Sequence, residues 1–408
     1  MPEQRQFLAS ELVSLICGFV SSDNSDRRVK QNTLWACTLV CRQWYLIALP
    51  FLYNNPFVTH QNYTTFLQSI CDKQDGTPKA HFRTLIKRLD MGGFAFHRHK
   101  DQTAKLLANI PSVEVLVAPP APLSGFLMAL AQCSKLRCLD LSVDPAEGMT
   151  SLSFWDLHQV IMRLQDLETL RFPPALSGYR PVRFNPDDHY DPPDDHKLLF
   201  DMFGNPVGKM KWPPKLTGMQ LWERCVPPLT VYFHHWEWPI QMKSLSILNI
   251  SPFANDFYTI ATHRLRTSLS RLTIRNRVDD DGRCWVNAIV APMRQLSFLR
   301  IRDPRMSYST LERSEYDPIT VETLELDPGI LDDLDVAPLY DLLTAITSGF
   351  YRKVRRVGLV EYYRGFLPGE LEDSLNQTLR SNALDAGYNQ LQIEEGQIQT
   401  GVYYFRRG

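Results

Sequence analysis

The chain has no C-x-x-C pair, and its eight cysteines, at 17, 37, 41, 71, 133, 138, 225 and 284, are scattered. That excludes a dense disulfide framework and predicts reduced thiols in an intracellular protein. It also lacks an excess of one charge: 44 basic against 45 acidic residues leave a net −1, so no whole-chain field draws nucleic acid or anionic lipid. A Gly-rich phosphate loop, a G-x-S-x-G elbow and an H-E-x-x-H pair are all missing. Cys37 and Cys41, like Cys133 and Cys138, have no second pair at zinc spacing. His97-x-His99 and His234-His235 read as surface or satisfied polar residues. The Asp/His-rich stretch 187–196 lacks the glycine turn and closing glutamate of a calcium loop, and reads as a solvated acidic loop. No catalytic centre, metal or cofactor is therefore expected.

A clean membrane span is absent too. In Leu34–Tyr53 only Thr38, Arg42 and Gln43 are neither apolar nor aromatic. Arg42, near its middle, would cost about 2.5–3.5 kcal/mol at the bilayer centre. Pro50 follows, so no membrane partner is expected. Glu3, Arg5 and Glu11 interrupt the N-terminal residues, and no secretory signal is expected there.

What is present is a globular composition, 44% hydrophobic and 22% charged, over 408 residues. A chain of that length exceeds one compact core unless the fold repeats. Residues 7–53 predict three short helices. In the first, apolar side chains at 8, 12, 15, 16 and 19 form one stripe, Val13 and Val20 form a second line beside it, and Ser10 is the expected N-cap. After a polar loop at 21–28, Thr33 is expected to cap a helix to about Cys41, and Arg42–Leu49 to form another that stops near Pro50. Three such helices carry more apolar surface than they can hide among themselves.

From about Thr84 a pattern apolar-x-x-apolar-x-apolar recurs ten times, starting at 86, 113, 136, 167, 216, 245, 269, 296, 321 and 354. Most spacings fall near the 20–29 residues of a leucine-rich repeat, in which each unit is one strand and one return segment. Stacking predicts a parallel inner sheet, with helices such as 101–109 and 154–163 on the outer wall. No copy has Asn or Cys at its ninth position, so the repeats are irregular. The fold class is α/β: three N-terminal helices over 1–55, linker helices over 56–83, and an irregular repeat solenoid over 84–360. An insert at 173–214 and a C-terminal cap at 361–408, with a helix near 370–381 and a final strand, complete it.

Alternation along the strands points one set of side chains away from the core. This places Arg271, Arg275, Arg300 and Arg302 in a basic ribbon beside Glu325 and Asp327. Arginine forks could grip an acidic or phosphorylated peptide. Equally, Arg300 could meet Glu325, and Arg302 Asp327, in a cross-strand ladder. Trp222 is a further candidate contact, while Tyr232–Trp238 reads as filler between strand and outer wall.

The segment Leu39-Val40-Cys41-Arg42-Gln43-Trp44, preceded by the apolar helix of Leu8, Leu12, Ile16 and Phe19, resembles an F-box in the form common to fungal F-box proteins. Ala9 stands where the family has proline. The order of F-box and then leucine-rich repeats is similar to a class of substrate adaptors. The resemblance implies a non-catalytic subunit of a Skp–cullin–F-box ubiquitin ligase. Leu8, Leu12, Ile16, Leu39, Val40 and Trp44 would dock a Skp-type adaptor, and through it a cullin, while the repeats hold a substrate protein. The alternatives are a scaffold that binds the adaptor without assembling a ligase, and a solenoid interaction protein whose N-terminal helices merely cap the stack. Either adaptor-binding role implies the cytoplasm or nucleus.

Overall fold

The computed structural model describes residues 8–23, 26–71, 80–93, 100–120, 124–143, 152–174, 176–177, 199–200, 206–207, 212–222, 239, 241–250, 265–276, 290, 293, 295–302, 320–327, 337–348 and 351–406. The chain forms two compact units, one of residues 1–173 with 179–208 and 213–215, the other of 174–178, 209–212 and 216–408.

The first unit opens with α1 (Ser10–Ser22), α2 (Arg27–Thr38) and α3 (Arg42–Asn54). Their shared core is built from Val13 and Cys17 of α1, Leu34 of α2, and Ala48 and Leu52 of α3. Three expectations are corrected. Ser10 is the first helical residue and not the N-cap; Gln43 Nε2 instead donates to the Leu8 carbonyl at 2.9 Å and to Ser10 Oγ at 3.1 Å. α2 begins six residues before Thr33, because Asp26 caps it by accepting from the Arg28 N–H at 2.6 Å. α3 runs through Pro50 to Asn54. A proline there removes one i→i−4 bond, and burial of Leu52 in the three-helix core favours continuing the helix past it. The apolar stretch 34–53 is thus broken at 39–41. No helix among the described residues is long and apolar enough to cross a membrane.

After α4 (Tyr63–Cys71) and α5 (Ala80–Leu85), four strands of the main sheet follow: β1 (Arg88–Asp90), β2 (Val115–Val117), β3 (Cys138–Asp140) and β4 (Thr169–Arg171). They pair in parallel and in register, Leu89 with Leu116, Leu139 and Leu170. The returns contain α6 (Lys100–Ala108), α7 (Ser124–Leu130) and α8 (Phe154–Ile161). The entries to β2, β3 and β4 repeat as well: the N–H of Val113, Leu136 and Leu167 bonds to the carbonyl three residues back. Without Asn at the ninth position, two turns are closed from within the strand. Asp90 Oδ1 accepts from the Gly92 N–H, and Asp140 Oδ1 from the Ser142 N–H and hydroxyl.

In the second unit β5 (Gly218–Trp222), β6 (Ser244–Ile250), β7 (Arg271–Asn276), β8 (Phe298–Arg302), β9 (Thr323–Asp327) and β10 (Arg356–Val360) continue the parallel pattern. Nine of the ten repeat copies place all three apolar residues in the core. The tenth is corrected: Leu245 pairs with Met219 and Leu272, and Ile247 with Leu221 and Ile274, so this copy is Met242/Leu245/Ile247 and starts three residues earlier. Both triplets fit the apolar pattern, and pairing with the flanking strands selects between them. α9 (Ala337–Thr347), α10 (Gly369–Asp385) and the short α11 (Gln390–Glu394) precede β11 (Gly401–Phe405), which pairs in parallel with β10.

Helix α10 is fastened by a polar side chain. Asn382, buried on α10, donates through Nδ2 to the carbonyls of Tyr351 at 3.2 Å and Val354 at 2.8 Å, on the turn that enters β10. Asn382→Ala is expected to cost about 1–3 kcal/mol by leaving those carbonyls short of a donor. Asn382→Asp should not rescue, since a carboxylate cannot donate. Equilibrium urea unfolding checks both.

His158 on α8 is fully buried, and burial pushes its pKa down to about 3. Its folded value lies below the unfolded value near 6.5, so the stabilisation is complete above about pH 6.5. It is lost as pH falls through that value towards 3, at up to about 1.4 kcal/mol per pH unit. His158→Gln, which cannot ionise there, is expected to flatten the acid limb of the stability profile.

Within the 173–214 insert only short pieces are described, among them an antiparallel pair, Leu199–Phe200 with Pro206–Val207. The His97 and His234 pairs, the acidic stretch 187–196 and Tyr232–Trp238 lie outside the described residues.

Candidate functional site

Two surfaces stand out, one in each unit. On α1 the two apolar lines divide their roles. Val13 and Cys17 are fully buried, whereas Leu12, Leu15 and Phe19 are 49%, 68% and 81% exposed. Small side chains on the inner line suit close helix packing, and a Cβ at Gly18 would touch the Phe51 ring at 3.8 Å. The longer leucines and phenylalanine are left on the outer line. Of sixteen large apolar side chains exposed among the described residues, eleven lie between Leu8 and Leu46. A monomer rarely leaves so much apolar surface together unless something else covers it.

Of the sequence-predicted residues, Leu8, Leu12, Ile16, Leu39 and Val40 are all exposed. Gln43, bonded to Leu8 and Ser10, brings the start of α1 beside the turn that carries Leu39 and Val40. Trp44 differs: it is half-buried and packs against the three-helix core. Leu15 and Phe19 lie on the predicted stripe. Trp35 and Leu46 are also exposed, and their helices gave no sign of which side would be open.

The three helices are joined firmly to the first repeats. Arg27 Nη1 pairs with Asp90 at 2.6 Å, its Nη2 donates to Asn55 Oδ1 at 3.0 Å, and its guanidinium lies 5.8 Å from the Phe57 ring centroid. The Lys87 N–H bonds to the Asn54 carbonyl, and Tyr53 stacks on Phe82 at 4.9 Å. Asp90 thus closes the turn after β1 and holds α2 at once.

In the second unit, the sheet face opposite the core carries three rows in register. Arg271, Phe298, Thr323 and Arg356 form the first. Thr273, Arg300, Glu325, Gly358 and Tyr403 form the next. Arg275, Arg302 and Asp327 stand in the third. The cross-strand ladder is formed: Arg300 pairs with Glu325, and Arg302 Nε with Asp327 at 3.4 Å. Arg300 also lies 4.7 Å from the Phe405 ring centroid.

Glu325 and Asp327, which alternation sets on the outward face beside the ribbon, are nonetheless buried. Neighbours on the same face cover them. Glu325 accepts from the Tyr403 hydroxyl at 2.5 Å across the gap left by Gly358. Burial pushes the Tyr403 pKa up, and the Glu325 carboxylate adds to the rise. Trp222 is partly buried, and its indole N–H is enclosed without a hydrogen-bond partner among the described residues.

A groove of about 430 Å³ opens beside the first row, lined by Arg271, Phe298, Thr323, Arg356 and Tyr403 together with Glu322, Glu325, Arg355 and two serines. Arg355 pairs with Glu322 at 2.9 Å. Alternation also points Arg356 outward, though it gave that residue no role, and it did not single out Arg355; what holds them, Glu322 and the Tyr403 ring, comes from residues far along the chain. Among the described residues no group of three or more His, Cys, Asp or Glu is placed to hold a metal ion.

No family model matches the chain. It is 25% identical over 189 residues to F-box protein YDR306C of Saccharomyces cerevisiae. That stretch is 45% of this chain and 36% of the yeast protein, so the match spans little more than a third of that relative's length. The likeness is to an F-box protein, the type of protein that the Leu39–Trp44 segment resembles.

Proposed function

We propose that this protein is the substrate-recognition subunit of a Skp–cullin–F-box ubiquitin ligase. The observation that carries the reading is the inversion on α1: the helices have their own small core, and the outer stripe is left open. Leu8, Leu12, Ile16, Leu39 and Val40, with Leu15 and Phe19, would seat the Skp-type adaptor, and Trp44 would support that surface from beneath. Burying half a dozen such side chains at roughly 1.5–3 kcal/mol each gives at most about 9–18 kcal/mol, of the same order as an association penalty of about 4–15 kcal/mol and above most of that range. The chain would do no bond chemistry. Its contribution would be to hold a client near the ubiquitin-carrying enzyme, raising the local concentration of a target lysine. The Arg27–Asp90 and Tyr53–Phe82 contacts favour a docking role, because they fasten the adaptor-facing helices to the first repeats of the same unit. Such a role would be carried out in the cytoplasm or nucleus.

Co-purification with a Skp-type adaptor and a cullin tests the reading. Capture of both, with stabilisation of client proteins when the cullin is blocked, is the expected result. Adaptor without cullin would indicate a non-ligase scaffold, and capture of neither would overturn the proposal.

A further inference from the structure

Arg271 and Arg356 occupy one row of the second unit's sheet, with Phe298 and Thr323 between them. Each guanidinium rests on an aromatic face: Arg271 lies 4.4 Å from the Phe298 ring centroid and Arg356 4.4 Å from that of Tyr403. An arginine so mounted is held in place while its N–H fork stays available. Neither has a carboxylate within ion-pair distance among the described residues, whereas Arg300, Arg302 and Arg355 do. The acidic residues of the groove are already satisfied, Glu322 by Arg355 and Glu325 by Arg300 and Tyr403. Among the described residues, the charge left uncompensated in the groove is therefore that of the two arginines, one at each side.

Their separation is informative. Three strand intervals divide β7 from β10, and at about 4.8 Å each they amount to about 14 Å. Both side chains lean in the same direction, Arg271 over β8 and Arg356 over β11, so the spacing is kept. An extended peptide rises about 3.3–3.4 Å per residue and points residues i and i+4 to the same face, about 13.5 Å apart. Residue i+2 would then lie above Phe298 and Thr323.

We propose that this groove recognises an extended protein segment that crosses the strands and carries two anionic side chains, carboxylate or phosphoryl, at positions i and i+4. Arg271 takes one and Arg356 the other, each through a bidentate fork. Identifying that segment as part of a ubiquitylation client rests on the ligase role above; the groove's preference for paired anions does not.

Fluorescence anisotropy with the full chain and labelled Gly/Ser peptides provides the test. The peptides carry two glutamates or two phosphoserines at i,i+4, the same residues at i,i+2, or serine throughout. The i,i+4 peptides are expected to bind about ten-fold more tightly than the i,i+2 peptides. Arg271→Gln and Arg356→Gln should each cost about ten-fold in affinity. The two together should reduce binding to that of the serine peptide. Arg302→Gln, which alters an arginine already paired with Asp327, should change little. The ratio of phosphoserine to glutamate affinity identifies which anion is preferred. Binding that ignores spacing, binding insensitive to both substitutions, or no binding of any anionic peptide overturns the proposal. A chain that binds the i,i+4 peptides but never captures a Skp-type adaptor keeps the groove and loses the ligase role.

Discussion

Leu12→Asp combined with Leu39→Asp is expected to weaken binding of a Skp-type adaptor by at least about 100-fold while leaving the unfolding midpoint nearly unchanged. Both side chains are open to solvent, 49% and 64% exposed, and neither belongs to the three-helix core, so each substitution removes little packing from the free chain. Exposed substitutions of this kind usually move stability by within about 0.5 kcal/mol. At an interface the same carboxylates would be stripped of water with no partner. A penalty of about 2 kcal/mol for each would give roughly a thousand-fold loss. Val13→Asp is the contrasting variant: it buries a carboxylate in the three-helix core and should unfold that region, abolishing capture for an uninformative reason. Trp44→Ala has the same defect in milder form, because Trp44 packs on that core. Calorimetry for affinity and thermal unfolding for integrity separate the cases. Undiminished affinity in the Leu12/Leu39 double variant would mean the adaptor, if bound, sits elsewhere.

The second large effect is expected from Gly358→Val. A Cβ at this position would come within 2.7 Å of Glu325 Cγ and Tyr403 Cζ and within 2.9 Å of the Tyr403 hydroxyl oxygen. Gly358 is needed for space and not for an unusual backbone angle. Its missing side chain lets Glu325 on β9 reach Tyr403 on β11 past the intervening strand. Valine would expel one of the two. Glu325 is buried and shares its charge with Arg300, so disrupting the cluster should cost about 3–5 kcal/mol, as for other broken buried pairs. Tyr403→Phe keeps the ring and loses only the hydroxyl, for about 1 kcal/mol. Because the two changes act on one cluster, the double variant should lose less than their sum. Chemical denaturation reads all three, and an unchanged midpoint for Gly358→Val would refute the account.

Much of the molecule was legible before any coordinates. The recurring apolar triplet marked the strands correctly because a core-facing position must be apolar in every coil, and that requirement is local. The N-terminal helices were legible for the same reason. Their boundaries were less so: Thr33 was as good a cap by type as Asp26, and the Leu52 packing that favours a helix past Pro50 is tertiary. At β6 two overlapping triplets satisfied one pattern, and only pairing with β5 and β7 selected Met242/Leu245/Ile247.

By itself, then, the sequence determined which side chains share a face, since helix and strand periods are properties of the backbone. It also determined that residues 8–46 carry more apolar surface than their own helices can bury. Only the tertiary structure decided which face is covered. Val13 and Cys17 went inward and Leu12, Leu15 and Phe19 outward because α3 packs against the smaller line, a choice no spacing records. It likewise decided which arginines stay available. Arg300 and Arg302 meet carboxylates from the next repeat, while Arg271 and Arg356 meet aromatic rings, and the identity of a cross-strand neighbour depends on residues one whole coil away.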